Sequence, residues 1–447
     1  MKKFLLLTAA GLLSITACGL IDDVIDEVEK VLPQEVTVQL KADGAEFAVA
    51  GITVDLADAA GTVNYQEVTD ETGAAKFVLP TGAYSASATY KTSQDGVRFV
   101  YNGSNSTINV EKDAENVFEI ALQKVESQQI IIKEVYCTGC PKNDSGSYNV
   151  DAYIVLYNNS DIEADASNIV FGCLWAANGH ATNKYIDAES GELLFENLGW
   201  IPAYSAIWSF DAPVTIPAYS QLVVAVFGAI DHTATVTASV NLDNSSYYWM
   251  QKNDQFTNAK YVVSENIPAT NYLSCTPHNS GNAWVLSNSS PALFIGKMEK
   301  SEVTALVTAK DAFDTTVGST AANSFPKFPS ANVVDAVEIW SAANIEKSHG
   351  RFPTSLNTGY VAITNNLGHT VYRNVDKEAT EALPENAGKL VYDYAGGTFD
   401  EAAGTGSTDP SKIDAEASIA AGAHIIYSDT NDSGKDFHER KVQSLKQ

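Results

Sequence analysis

The spacing Cys137-Thr138-Gly139-Cys140 is where two reactive side chains of this chain come closest to a working pair. A dithiol so spaced serves redox exchange when it opens a helix after a strand, where the thiolate is stabilised. Here the flanks are strand-like and Pro141 follows, so a redox role is not expected. A zinc site needs two more ligands at matching spacing, and no second C-x-x-C and no H-x-x-x-H exists. His180, His232, His278, His349, His369, His424 and His438 are scattered without ligand spacing. Neither a G-x-S-x-G elbow nor an H-E-x-x-H helix is present. Asp429-Thr430-Asn431-Asp432-Ser433-Gly434 approaches the opening of a calcium loop. Its twelfth position is Arg440, a cation where a bidentate glutamate belongs, so the segment reads as a turn. Asp335 and Glu338 lie in the β-rich run Val333–Ile339, where residues three apart face opposite ways; shared acid–base work is not expected of them. The reading is of no catalytic residue, no metal and no cofactor.

Recognition chemistry is better represented. The loop Asn241–Phe256 carries Tyr247-Tyr248-Trp249 behind Asn241, Asp243, Asn244, Ser245 and Ser246. Rings supply stacking area and amides supply directed hydrogen bonds, which together suit a sugar or peptide face. The alternative is a long loop that folds its aromatics onto the edge of a sheet. Trp175, with Asn178 and His180, is a second contact candidate.

What must position these groups begins with an address. Lys2 and Lys3 precede the apolar run Phe4–Leu13, and Ile15-Thr16-Ala17 leads to Cys18. A basic start, a short apolar stretch and small residues at the cut describe a secretory leader, here residues 1–17. A cysteine in the first mature position is similar to a bacterial lipoprotein signal, which implies lipidation of Cys18. The run is shorter than the roughly 20 residues that span a bilayer, so the expectation is a membrane partner reached by a lipid anchor. Residues 18–35 read as an acidic tether, and their acidic start resembles a surface-export signal of Bacteroidetes lipoproteins. The inner leaflet of the outer membrane is the competing address. The net charge of −27 repels phosphate backbones and excludes nucleic acid as a partner. With Cys18 acylated, Cys137, Cys140, Cys173 and Cys275 are an even set in an oxidising compartment. Four cysteines allow three pairings; Cys137 with Cys140 and Cys173 with Cys275 is the preferred one.

The length suggests two or three domains, and a 45% apolar content can fill sizeable cores. Residues 36–123 alternate with period two: Val36, Val38, Leu40; Ile52, Val54, Leu56; Ala75, Phe77, Leu79; Tyr84, Ala86, Ala88. The turn Thr69-Asp70-Glu71-Thr72-Gly73, with Asp70 as its turn residue, and the hairpin Leu79-Pro80-Thr81-Gly82-Ala83-Tyr84 are similar to those of the carboxypeptidase-regulatory-like, transthyretin-type β-sandwich. Modules of that type are usually spacers. Residues 128–395 hold Ile130–Tyr136, Tyr153–Asp161, Ile216-Pro217-Ala218 before Leu222–Phe227, Leu286-Ser287-Asn288 and Val333–Ile339. This order resembles the immunoglobulin-like lamin-tail sandwich, here with long insertions at 176–206 and 232–283. That resemblance implies a β-sandwich and carries over no catalytic residue. Residues 396–447 read as a loop-rich C-terminal segment with a polar, mobile tail from Ser428.

The fold class expected is therefore all-β, built from two β-sandwich domains. The two modules behind a lipid signal resemble a family of Bacteroidetes lipoproteins that carries a domain of unknown function. The resemblance implies an outer-membrane, surface-exposed lipoprotein acting as a non-catalytic binding or accessory module. It also implies a TonB-dependent transporter as partner and a nutrient or metal chelate as cargo, with sugar, peptide or chelate as the ligand classes. The alternatives are a surface hydrolase and a structural adhesin with no small ligand.

Overall fold

A computed structural model describes residues 33–42, 50–58, 63–94, 97–126, 129–250, 256–278, 281–284, 286–317 and 324–446. The leader, Cys18 and nearly all of the tether lie outside the described residues. The chain divides into two compact units, the first ending at Lys124 and the second running from Val125, with Ser93–Arg98 grouped with the second. Both are built from strands, as expected. No helix among the described residues is long and apolar enough to cross a membrane.

The first unit has seven strands: β1 (Gln34–Ala42), β2 (Thr53–Asp58), β3 (Asn64–Val68), β4 (Ala74–Leu79), β5 (Gly82–Gln94), β6 (Val97–Val110) and β7 (Asn116–Glu126). They are ordered β3-β2-β5-β6-β7-β1-β4. The alternating residues of the sequence are its interior: Val36, Val38, Leu40, Val54, Leu56, Phe77, Leu79 and Ala86 join one core with Ile108 and Ile120. Alternation works here because one face of each strand meets this core and the other meets water. Gly73 turns at φ +80°, and Asp70 accepts the amides of Thr72 (2.8 Å) and Ala74 (3.2 Å). The Tyr84 hydroxyl donates to Pro80 O at 3.0 Å.

The second unit is dominated by a thirteen-stranded sheet. Its principal strands are β8 (Ile130–Tyr136), β9 (Tyr153–Asn158), β10 (Ile169–Leu174), β11 (Trp200–Phe210), β12 (Gln221–Ala225), β13 (Tyr248–Met250), β14 (Tyr272–Pro277), β15 (Ala292–Lys297), β16 (Val333–Ser341), β17 (Val361–Ile363), β18 (Thr370–Arg373) and β19 (Phe437–Arg440). They run β17-β16-β15-β10-β11-β14-β13-β12-β9-β8-β18-β19, with Lys327–Pro329 paired to β11. Strands β8 and β9 are buried at every residue. Ile132 and Ile154 join the main core, while Ile131 and Tyr157 join a second cluster with Ile413, Ile425 and Tyr427.

The C-terminal segment therefore covers the second face of the central strands. This corrects the mobile tail: Ser433–Asp436 is a short helix and Phe437–Arg440 an antiparallel strand on β18. The physical reason is that polar residues there are buried as partners of charge. Arg373, fully buried, donates to Ile132 O (2.6 Å) and Ser428 O (2.8 Å), bonds Asp335, and lies within 3.4 Å of Asp429 and 3.9 Å of Asp436. Ile132 N in turn donates to Asp335 Oδ2 (2.6 Å), which joins β8 to β16. Arg351 clasps Glu338 (2.9 Å from Nε) and donates to Ala176 O (2.7 Å). Asp335 and Glu338 thus serve different arginines. Lys133 reaches Glu416 (2.8 Å) and Gln221 (2.7 Å) beneath the rings of Tyr157, Tyr372 and Tyr427.

Candidate functional site

The aromatic contact candidates do not share a cleft. Strand β13 is inserted between β12 and β14, parallel to both. Trp249 is 4% exposed, its Nε1 donates to Phe227 O (2.9 Å), and its ring meets Tyr272 edge-on at 5.0 Å. Its face is interior, which corrects the expectation of a ligand contact there. Tyr248 sets its ring against Phe210 at 5.3 Å. Tyr247 borders a surface hollow with Asn241 and Asn244. Those amides close local turns: Asn241 Oδ1 accepts Asp243 N (2.8 Å) and Asn244 Oδ1 accepts Ser246 N (2.9 Å). Trp175 belongs to a different cluster, stacked on Phe325 at 5.4 Å and beside Tyr204 at 5.1 Å. The loop folds its rings inward because strand β13 gives them a sheet to enter.

The preferred disulfides are not formed. Cys173 stands on β10 opposite Tyr204, Cys275 stands on β14 opposite Trp208, and β11 runs between them. Two strand spacings place their backbones roughly 9–10 Å apart or more, beyond the limit of about 7 Å for a bridge. Cys137 and Cys173 sit in the main apolar core as thiols. Cys140 turns the other way, its Sγ 3.6 Å from Asp151 Oδ2. Burial pushes the Cys137 thiol up to about 12. Burial and the Asp151 carboxylate push Cys140 up to about 11. Reactive thiols are lowered, not raised. Among the described residues no group of three His, Cys, Asp or Glu is placed to hold a metal ion. In the calcium-like segment, Asp432 caps Ser433–Asp436 by accepting Gly434 N.

A cleft of 640 Å³ opens where the two ends of the sheet, β17 and β19, approach each other. Its lining combines apolar residues, Ala342, Ile345, Val361, Ala362 and Phe437, with the hydroxyl-bearing Thr364, Thr398, Thr405 and Ser407. The turn that brings the last three together requires glycine: Gly406 has φ +82°, and a Cβ there would lie 2.5 Å from Thr398 O.

The lining also holds a histidine–carboxylate pair. His369 precedes β18, Glu439 lies on β19, and the pairing of Val371 with Glu439 sets them side by side. His369 Nδ1 is 2.7 Å from Glu439 Oε1, which also accepts Thr364 N (2.6 Å); Oε2 accepts the Thr398 hydroxyl (2.9 Å). Burial alone would raise the Glu439 carboxyl, but the bonds from His369, Thr364 and Thr398 outweigh it and hold it below the usual range. With Nδ1 committed to the carboxylate, Nε2 is the nitrogen His369 offers to the cleft. Tyr360, half-buried, lines the same space with one face stacked on Trp340 at 3.7 Å. No lysine or arginine lines the cleft among the described residues.

This constellation escaped the sequence reading. His369 was one of seven unspaced histidines, and Glu439 and Ser407 fell in the C-terminal segment. Their only shared signal is the Gly404-Thr405-Gly406-Ser407 run, whose partners lie far along the chain.

The DUF4876 family, described as a protein of unknown function, matches residues 219–395, less than half of the chain. No curated protein matches. Among solved structures, a DUF4876 family protein from Bacteroides thetaiotaomicron is similar at 17% identity and a TM-score of 0.47, over 91% of this chain and 95% of that one. A DUF3823 family protein from Parabacteroides merdae shares 10% identity with a TM-score of 0.16, over 60% of this chain and 92% of that one. A candidate adhesin from Bacteroides ovatus shares 10% identity with a TM-score of 0.18, over 65% and 85%. The family match fits the resemblance to a family with a domain of unknown function.

Proposed function

We propose that this protein is a lipid-anchored, surface-exposed outer-membrane module that binds a small ligand without transforming it and serves a TonB-dependent transporter. The observation that carries the reading is the cleft between β17 and β19: a concave space of ligand size framed by the sheet, with polar groups among its lining. The buried, high-pKa thiols of Cys137 and Cys140 support the non-catalytic half of the reading. The anchoring half rests on the leader and Cys18 alone.

The test uses the tagged full chain and its Cys18→Ser variant in the native membrane. The expected result is that the wild type fractionates with the outer membrane, is cut by protease added to intact cells, and recovers a transporter on solubilisation, whereas Cys18→Ser stays soluble. Recovery of the folded protein with no transporter would remove the partner from the proposal. Unchanged fractionation of Cys18→Ser would remove the anchor. Turnover of a substrate by purified protein would replace the binding module with the hydrolase.

A further inference from the structure

We infer that the cleft between β17 and β19 is a saccharide site that takes an uncharged, hydroxyl-rich ring. The inference rests on the binding reading above and names its ligand class. Three properties of the cleft select that class.

The first is charge. No lysine or arginine lines the cleft among the described residues, and the chain carries −27 overall. A phosphate or carboxylate ligand would enter without a counter-charge, beside Glu439. A cationic ligand gains little either. Both Glu439 oxygens already accept bonds from His369, Thr364 and Thr398, so neither is left free to grip a cation. A neutral ligand is what remains.

The second is the mixed lining. Ile345, Val361, Ala362 and Phe437 share it with the hydroxyl-bearing Thr405 and Ser407. A wholly apolar ligand would strip water from those hydroxyls without replacing their bonds, which is unfavourable. A wholly polar one would leave the apolar side chains wet. A sugar ring is mixed in the same way: its axial C–H groups form an apolar face and its equatorial hydroxyls a polar rim. Tyr360 adds a ring whose second face is not covered by Trp340, and ring faces of this type receive C–H groups.

The third is directionality. The Glu439 carboxylate can only accept, so Nδ1 of His369 is its donor and Nε2 is the ring nitrogen left for a ligand. Ser407 Oγ accepts Glu439 N (2.8 Å) and keeps its proton to donate, and the Thr405 hydroxyl can both donate and accept. A hydroxyl ligand donates and accepts at the same atom, so it matches this mixture, whereas a carboxylate supplies acceptors only. The 640 Å³ volume lies within the range of about 300–1,000 Å³ typical of small-ligand sites.

The experiment is saturation-transfer NMR and titration calorimetry on the full mature chain. The probes are the methyl glycosides of glucose, galactose, mannose and N-acetylglucosamine, with glucuronate and inorganic phosphate as charged comparators. At least one neutral glycoside saturates the protein, and glucuronate binds more weakly than glucoside. His369→Ala weakens that glycoside by about tenfold or more, the scale of one lost directed hydrogen bond in a closed site. His369→Gln keeps a donor toward Glu439 while removing Nε2, and weakens binding to the same degree. It therefore separates loss of the ligand contact from loss of the fold. Glycoside binding unaffected by both variants overturns the assignment to this cleft, as does preference for phosphate or glucuronate. If no glycoside binds while the transporter is still recovered from membranes, the saccharide inference falls and the binding module stands. If glycosides bind but no transporter is recovered, the reverse holds.

Discussion

The small and large units solve the same problem, burying sheets, by different means. In the small unit the interior is apolar and one-sided: Val38, Val54, Ala75, Leu79 and Ile120 alternate with solvent-facing residues. In the large unit the central strands have no solvent face, and the interior admits Arg373, Arg351, Lys133, Asp335, Glu338 and Glu134. An apolar core tolerates local error, since each residue contributes a share of about 1.5–3 kcal/mol. A core closed by ion pairs is less forgiving: removing one partner strands the other charge and costs about 3–5 kcal/mol. The large unit therefore depends on fewer residues, each more critical.

That contrast can be broken or sharpened by measurement. All six tryptophans lie between residues 175 and 340, so tryptophan fluorescence reports the large unit alone. The largest effect is expected for Arg373→Leu, which leaves Asp335, Asp429 and Asp436 buried without their cation. The tryptophan-detected urea curve should lose about 3–5 kcal/mol, and a loss below 1 kcal/mol would erase the distinction drawn here. Next is Leu79→Ala in the small unit, fully buried and expected to cost about 2–5 kcal/mol. Its signature is faster hydrogen exchange in residues 33–124 with an unmoved tryptophan curve.

A third expectation concerns acid. Burial lowers His278 to about 4 and His438 to about 3, the latter with help from Arg440. A depressed histidine contributes stability that is fully present above the unfolded value of about 6.5 and is lost as pH falls toward the folded value. The loss is at most about 1.4 kcal/mol per pH unit for each histidine. Asp436 opposes them: burial lifts it to about 6, so its share is present below about 4 and lost as pH rises through 6. The histidines are expected to weaken the large unit as pH falls from about 6.5 to about 4, reinforced by His232, which burial also lowers, and opposed by Asp436 and by Asp335, Glu338 and Asp409, which burial raises. The small unit contains no histidine and should show no such limb. His438→Gln should flatten the slope by one histidine; an unchanged slope would show that its burial does not govern the acid limb. The smallest effect is Tyr84→Phe, which removes one hydrogen bond to Pro80 O. A loss of about 0.5–1.5 kcal/mol in the small unit is expected, read by the same exchange measurement.

The same contrast decided what could be read in advance. Val36, Val38, Leu40, Phe77 and Leu79 declared their strands and their inward face, because period-two alternation is a direct image of a half-buried sheet. The Asp70 turn and the Tyr84 hairpin were legible for the same local reason. In the large unit Ile130–Tyr136 and Tyr153–Asn158 were recognisable as strands, but not which strands flank them. Lys133 and Glu134 inside a buried run carry no periodic sign, and their partners are Glu416 and Ser444, hundreds of residues away. Trp249 misled because an aromatic among amides looks alike whether its loop is open or supplies a strand. The cleft was invisible for a third reason: His369, Thr398 and Glu439 meet through strand order, which single residues do not encode.

The sheet order has a consequence for synthesis. Strand β8 at residue 130 is flanked by β18 at residue 370, which is flanked by β19 at residue 437. The edge that completes the large unit is thus among the last parts of the chain to be made. Closure over such separations is slow, so the large unit stays unlocked until late in synthesis. A product truncated before Phe437 lacks Glu439 as well as the outer strand, and exposes Tyr372 and Arg373 to solvent. Completion of the sheet then acts as a check on length, leaving unfinished copies open to proteolysis.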